Sequence, residues 1–176
     1  FTQDASGRKD RKDIDYVIYE EGIYVGYRWF DKKNMKVSYP FGHGLSYTTF
    51  EYTEPSIEAG KKETTINVTI RNTGNYPGKE VIQLYVSAPE GKLDKPVKEL
   101  KAFAKTRELK PGESETVSMT VRNEDLASFD ESSSAWITEG GTYQFHRGAS
   151  SADIRETLEA DITESIRKAD AVLLRK

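Results

Sequence analysis

Thr65-Ile66-Asn67-Val68-Thr69-Ile70-Arg71 alternates strictly between apolar and polar residues. A period of two places Ile66, Val68 and Ile70 on one face of an extended chain and their neighbours on the other, which is the pattern of a half-buried β-strand. Asn72-Thr73-Gly74-Asn75 breaks the run with turn residues, and the pattern then repeats outward. Ile82, Leu84 and Val86 alternate with Val81, Gln83 and Tyr85, up to Pro89 and Gly91. Val97 to Arg107 forms a weaker strand around Leu100, Ala102 and Phe103. In Lys110-Pro111-Gly112-Glu113, proline pre-sets the first corner of a turn and glycine accepts positive φ at the second, so a type II turn is expected.

Val117, Met119 and Val121 continue the alternation, and Asn123-Glu124-Asp125-Leu126 reads as a short helical turn capped by the asparagine. Trp136 and Ile137 lead to a turn at Glu139-Gly140-Gly141, followed by an inward pair, Tyr143 and Phe145, and by Leu158, Ala160 and Ile162. About seven short strands at roughly ten-residue spacing, with no long amphipathic helix, predict an all-β, immunoglobulin-like two-sheet sandwich. Its expected core is Ile66, Val68, Ile70, Ile82, Leu84, Val86, Val117, Met119, Val121, Tyr143 and Phe145.

Four stretches follow from these patterns. Residues 1–15 interleave basic and acidic residues without apolar periodicity, as a polar linker does. Residues 16–47 form a connecting segment, with Tyr16, Tyr19, Tyr24, Tyr27, Trp29 and Phe30 set among Gly22 and Gly26. So many rings must pack on something, and an extended conformation is expected. The sandwich occupies 48–163. In the tail, 164–176, Ile166, Ala169, Val172 and Leu173 fit either a short helical stripe or a loose end.

Composition excludes several functions. Twenty-six basic and 29 acidic side chains are mixed along the 176 residues for a net charge of -3, so no strong field is aimed at nucleic acid or an anionic membrane. No run approaches the length of a membrane-spanning helix. The absence of cysteine removes disulfides, thiolate nucleophiles and sulfur-ligated zinc. Two histidines, His43 in a glycine-flanked turn and His146 on a strand, are too few and too far apart to predict a metal site. No cofactor is expected. Gly42-His43-Gly44 lacks the third glycine and helix of a dinucleotide loop, and Asn67-Val68-Thr69 is a glycosylation sequon of a kind that arises by chance. No pair of carboxylates stands out for glycoside hydrolysis. Tyr24, Tyr27, Trp29 and Trp136 are the aromatic candidates for a sugar-stacking surface, with internal packing as the plainer use.

Glu21-Gly22-Ile23-Tyr24-Val25-Gly26-Tyr27-Arg28-Trp29-Phe30-Asp31, followed by Tyr39-Pro40-Phe41-Gly42-His43-Gly44-Leu45-Ser46-Tyr47-Thr48-Thr49-Phe50, closely resembles family 3 glycoside hydrolases where they pass from their second catalytic domain into a C-terminal fibronectin type III-like domain. Asn72-Thr73-Gly74, Gly78-Lys79-Glu80-Val81, Lys98 to Phe103, Leu109 to Glu113 and Gly148 to Arg155 extend the resemblance in order. Such enzymes are retaining, exo-acting β-glucosidases or β-xylosidases. Their catalytic aspartate and glutamate precede the matched region, so the resemblance implies a chain without a catalytic residue of its own.

The resemblance also implies that the catalytic domains of the parent are the partner. It assigns Tyr24, Tyr27, Trp29, Phe41 and His43 to the interdomain contact, and it implies a secreted or periplasmic bacterial enzyme. Alternatives are a carbohydrate-binding module that brings the enzyme to polysaccharide and an independently active hydrolase. An isolated chain with this surface uncovered should self-associate or fold the segment back onto the sandwich.

Overall fold

The computed structural model describes residues 22–169. The readings of residues 1–15, Tyr16, Tyr19, Val172 and Leu173 lie outside that range. The architecture is all-β, built from two facing antiparallel sheets. One contains β1 (Phe50–Ala59), β2 (Glu63–Asn72) and β5 (Ser114–Arg122) in the order β1-β2-β5. The other contains β3 (Val81–Ser87), β4 (Glu99–Lys105), β8 (Gly141–Gly148) and β9 (Ile154–Ile162) in the order β4-β3-β8-β9.

These seven strands are the predicted sandwich. All eleven expected core residues are buried, joined by Leu109, Leu126 and Ile162. The type II turn is present: the Glu113 N–H donates to the Lys110 carbonyl at 2.9 Å, and Gly112 has φ 83°.

Three short strands, β6 (Ser128–Asp130), β7 (Ala135–Thr138) and β10 (Ser165–Lys168), make a further sheet in the order β10-β7-β6. The helical reading of Ile166 is thereby corrected. Its backbone pairs with Ile137, and cross-strand hydrogen bonding wins over a helical spacing that four residues cannot enforce. A second correction concerns Asn123. The 3₁₀ turn Asn123–Leu126 forms without a side-chain cap, because Asn123 is buried and turned elsewhere. Its amide donates to the Gly60 carbonyl at 2.9 Å and accepts from Thr64 at 3.0 Å.

Arg147 follows Tyr143 and Phe145 on the inward face of β8 and is fully buried. It reaches the opposite sheet, donating to the Asn67 carbonyl at 3.1 Å, and pairs with Glu156. Burial lowers its pKa, and the carboxylate of Glu156 works against that fall.

Candidate interdomain surface

β3 is buried on both faces. Ile82, Leu84 and Val86 face the sandwich, but Gln83 and Tyr85, which alternation assigned to solvent, are also buried. The cover on the second face includes Phe41 and Gly42. Gln83 donates through Nε2 to the carbonyls of Gly42 (3.0 Å) and Ala149 (2.7 Å), while its Oε1 accepts from the Tyr85 hydroxyl at 2.6 Å. The Ser151 N–H donates to the Phe41 carbonyl at 2.9 Å.

The Pro40-Phe41-Gly42 turn and the Ala149-Ser150-Ser151 loop, over a hundred residues apart in the chain, thus share one clasp. Gly42 is required there twice over. Its φ is 79°, and a methyl group would collide with the Gln83 amide. Burial raises the Tyr85 pKa, and the neighbouring Tyr27 adds to the shift, so its hydroxyl remains a donor.

A second hub explains Asn72-Thr73-Gly74. The fully buried Asn72 side chain accepts from the Thr48 hydroxyl (2.6 Å) and the Gly74 N–H (3.0 Å), and donates to the carbonyls of Tyr76 and Leu109, each at 2.8 Å. Every hydrogen-bonding site of the amide is used. The start of the sandwich is tied to two of its loops through one side chain.

Upstream of the clasp, the expected extended conformation gives way to a short helix, α1 (Tyr27–Lys32), after Gly26 at φ 60°. Six residues are too few to show a 3.6-residue period in the sequence. Contacts with β4 and the β3–β4 loop hold the helix. Arg28 pairs with Glu99 at 3.0 Å and Asp31 with Lys98 at 2.7 Å, and the Tyr27 hydroxyl accepts the Leu100 N–H at 2.8 Å. Burial raises the Tyr27 pKa.

Just before the helix, the Tyr24 hydroxyl bonds Asp94 and donates to the Lys95 carbonyl at 3.2 Å, and Lys32 lies over its ring. Glu139 supports that loop, pairing with Lys95 and accepting the Lys92 N–H at 2.7 Å. Burial acts against the charge of Glu139, but these hydrogen bonds outweigh it and hold its pKa below the usual carboxylate range.

The five expected contact residues therefore separate. Tyr24 and Tyr27 point toward the sandwich. Tyr27 stacks on Phe41 with centroids 4.5 Å apart and meets Tyr85 edge-on at 6.0 Å. Trp29 turns outward, 43% exposed, with Lys33 against its face. Phe41 has one face on Tyr27 and the rest in solvent. His43 is exposed beside the Tyr39 ring, and its backbone N–H, not its imidazole, bonds the Pro40 carbonyl.

Beside α1 an open groove of about 630 Å³ is lined by Phe30, Met35, Val37, Tyr39, Phe41 and Val97, among others. Sequence reasoning missed Gln83 and Tyr85. The signal was available in the nearly unbroken apolar character of Val81 to Val86, which suits a strand covered on both sides.

His146 accounts for itself within the sheet. Its Nε2 lies 2.8 Å from the Ser87 hydroxyl and its Nδ1 2.8 Å from that of Thr157. Since Ser87 donates to the Val97 carbonyl at 2.6 Å, Nε2 carries the proton. Burial lowers the His146 pKa, assisted by Lys98. Among the described residues, no group of three or more His, Asp or Glu is placed to hold a metal ion, and no helix is long and apolar enough to cross a membrane.

The seven-strand sandwich, with an N-terminal strap clasped to one sheet, defines an immunoglobulin-like module of the fibronectin type III kind. The profile of the "Fibronectin type III-like domain" family matches residues 80–151. Beta-glucosidase A of Butyrivibrio fibrisolvens is 46% identical over 179 residues, a match covering 89% of this chain and 21% of that protein. Among solved structures, β-glucosidase 3B of Thermotoga neapolitana aligns with a TM-score of 0.84 at 46% identity over 87% of this chain and 21% of its own. The GH3 β-glucosidase of Bifidobacterium adolescentis aligns at 0.78 and 33%, over 82% and 21%. This chain is a fibronectin type III-like domain, similar over most of its length to part of these family 3 β-glucosidases. It spans about a fifth of the length of these relatives.

Proposed function

We propose that this chain is a non-catalytic accessory domain of a secreted or periplasmic family 3 glycoside hydrolase, a retaining exo-acting β-glucosidase or β-xylosidase. Through its strap it stabilises and orients the catalytic domains. The observation that carries this reading is the strap itself. Its backbone is clasped to the sandwich at Gly42 and Phe41, while Trp29, Tyr39 and part of Phe41 face outward beside an apolar groove. A monomeric surface with such a cluster marks a contact site.

Tyr24 and Tyr27 serve that contact by fixing the strap; Trp29, Phe41 and His43 supply its face. In the parent enzyme, Trp29→Ala with Phe41→Ala lowers the midpoint of thermal unfolding, and an unchanged midpoint rejects the contact. The isolated chain does not turn over chromogenic β-glucosides or β-xylosides; copurifying turnover would reject the accessory role.

One observation favours a second reading, carbohydrate binding. On the β10-β7-β6 sheet, Phe129 and Trp136 are exposed side by side with ring centroids 5.2 Å apart. Saturable quenching of tryptophan fluorescence by glucans or xylans, lost in Trp136→Ala, would support it. No change on titration leaves the pair as cross-strand packing.

A further inference from the structure

Between the clasp at Gly42 and the hub at Thr48, the chain presents two large side chains that touch almost nothing. Leu45 is 94% exposed and Tyr47 96%, the most exposed of the large hydrophobic residues described. Loose loops expose such residues by chance, but this turn is held at both ends. The Gly42 carbonyl accepts from Gln83, and the buried Thr48 donates to Asn72. The Thr49 carbonyl accepts the Thr73 N–H at 2.9 Å. Ser46 lies between the two side chains, and its hydroxyl accepts the Thr48 N–H at 3.2 Å. Leu45 and Tyr47 themselves stand almost wholly in solvent.

Apolar surface left in water contributes nothing to the stability of the chain alone, and among the described residues nothing covers these two side chains. A backbone anchored on both sides that presents a tyrosine beside an aliphatic side chain has less ordering entropy to lose on contact than a free loop. We infer that Leu45 and Tyr47 are a pair of pegs that insert into an apolar socket on the preceding part of the longer polypeptide. This rests on the accessory-domain reading and adds to it a second contact, separate from Trp29 and Phe41.

The occupant follows from two observations. Relatives extend over roughly five times the length of this chain, so most of their surface lies outside it. The pegs also sit in the connector just ahead of β1, directly after the strap in the chain and, like Trp29 and Tyr39, exposed. A second copy fits less well. A two-fold contact needs a self-complementary patch, whereas projecting pegs need a socket elsewhere and would build open chains of molecules.

The test compares Leu45→Ser with Tyr47→Ser in two settings. In the longer polypeptide, the double substitution is expected to lower the unfolding midpoint of this domain by about 5 °C and to speed proteolysis within residues 22–47. In the 176-residue chain alone, the same pair leaves the midpoint unchanged, because these side chains support nothing there.

An unchanged midpoint in the longer polypeptide overturns the inference, as does an equal fall in both settings. Sedimentation of the isolated chain as an oligomer that the double substitution dissolves also overturns it, since the occupant would then be a second copy. If the pegs are silent while Trp29→Ala with Phe41→Ala still lowers the midpoint, the pegs alone are wrong. If both pairs are silent, the accessory reading falls with them.

Discussion

The interior of the sandwich and the strap that crosses its outer sheet are held by different forces. Between the two sheets, Ile66, Val68, Ile70, Ile82, Leu84, Tyr143 and Phe145 are completely buried, and apolar area removed from water dominates the energy. Over residues 22–47 the attachment is largely polar: ion pairs to β4 and to the β3–β4 loop, a tyrosine hydroxyl on a backbone amide, and carbonyls held by Gln83 and Ser151. The large apolar side chains of the strap mostly point the other way. A region that buries its own apolar residues stands alone. One that fastens itself by hydrogen bonds and leaves its rings outward is shaped for a neighbour.

The largest test of this contrast is Leu84→Ala. Truncating a fully buried leucine between the sheets should cost about 2–5 kcal/mol and shift the urea midpoint of the whole molecule. If it changed only the strap, the division would be wrong.

Gly42→Ala acts on the other side of the line. Placing a side chain at φ 79° costs about 1–2 kcal/mol, and the collision with Gln83 must also be relieved. The expected outcome is local: hydrogen exchange at the Ser151 amide, which donates to the Phe41 carbonyl, should quicken while core amides of β2 and β8 keep their protection. Equal loss in both places would mean that the strap is part of the sandwich's folding unit.

The smallest effect concerns Glu139, whose loop carries the contacts to Tyr24. An unfolded glutamate titrates near about 4.3. In the fold, Lys95 and the Lys92 N–H favour its ionised form and lower its pKa. The stability it contributes is therefore complete above the unfolded value and lost as pH falls through the folded one. Acidification through that window should speed exchange at the Lys92 amide, and Glu139→Gln should remove the pH dependence there.

His146 also has a lowered pKa, but its fold favours the neutral ring. Its contribution is complete above about 6.5, the unfolded histidine value, and declines below it, a separate and higher window.

The two regions also differed in how far they could be read in advance. Period-two alternation identifies one buried face of a strand, and all eleven residues of the expected core are buried, because facing sheets bury alternate side chains wherever they come from. Tyr24 and Tyr27 could be recognised as rings needing a partner, but not as the ones that turn inward while Trp29 turns out. Their partners, Asp94, Lys95, Leu100 and Tyr85, are some sixty to seventy residues away. Asn123 was misread for the same reason: a cap is a local choice, and Thr64 with Gly60 offered a better one at long range.

From its sequence alone, this protein's sandwich, inner layer and type II turn were determined, since alternation and turn chemistry act over a few neighbouring residues. Tertiary structure decided the rest: the second buried face of β3, the helix in the strap, the pairing of β10 with β7, and the outward aim of Leu45 and Tyr47. Each depends on which distant backbone or side chain arrives to accept a hydrogen bond or cover a ring. No local pattern encodes that arrival.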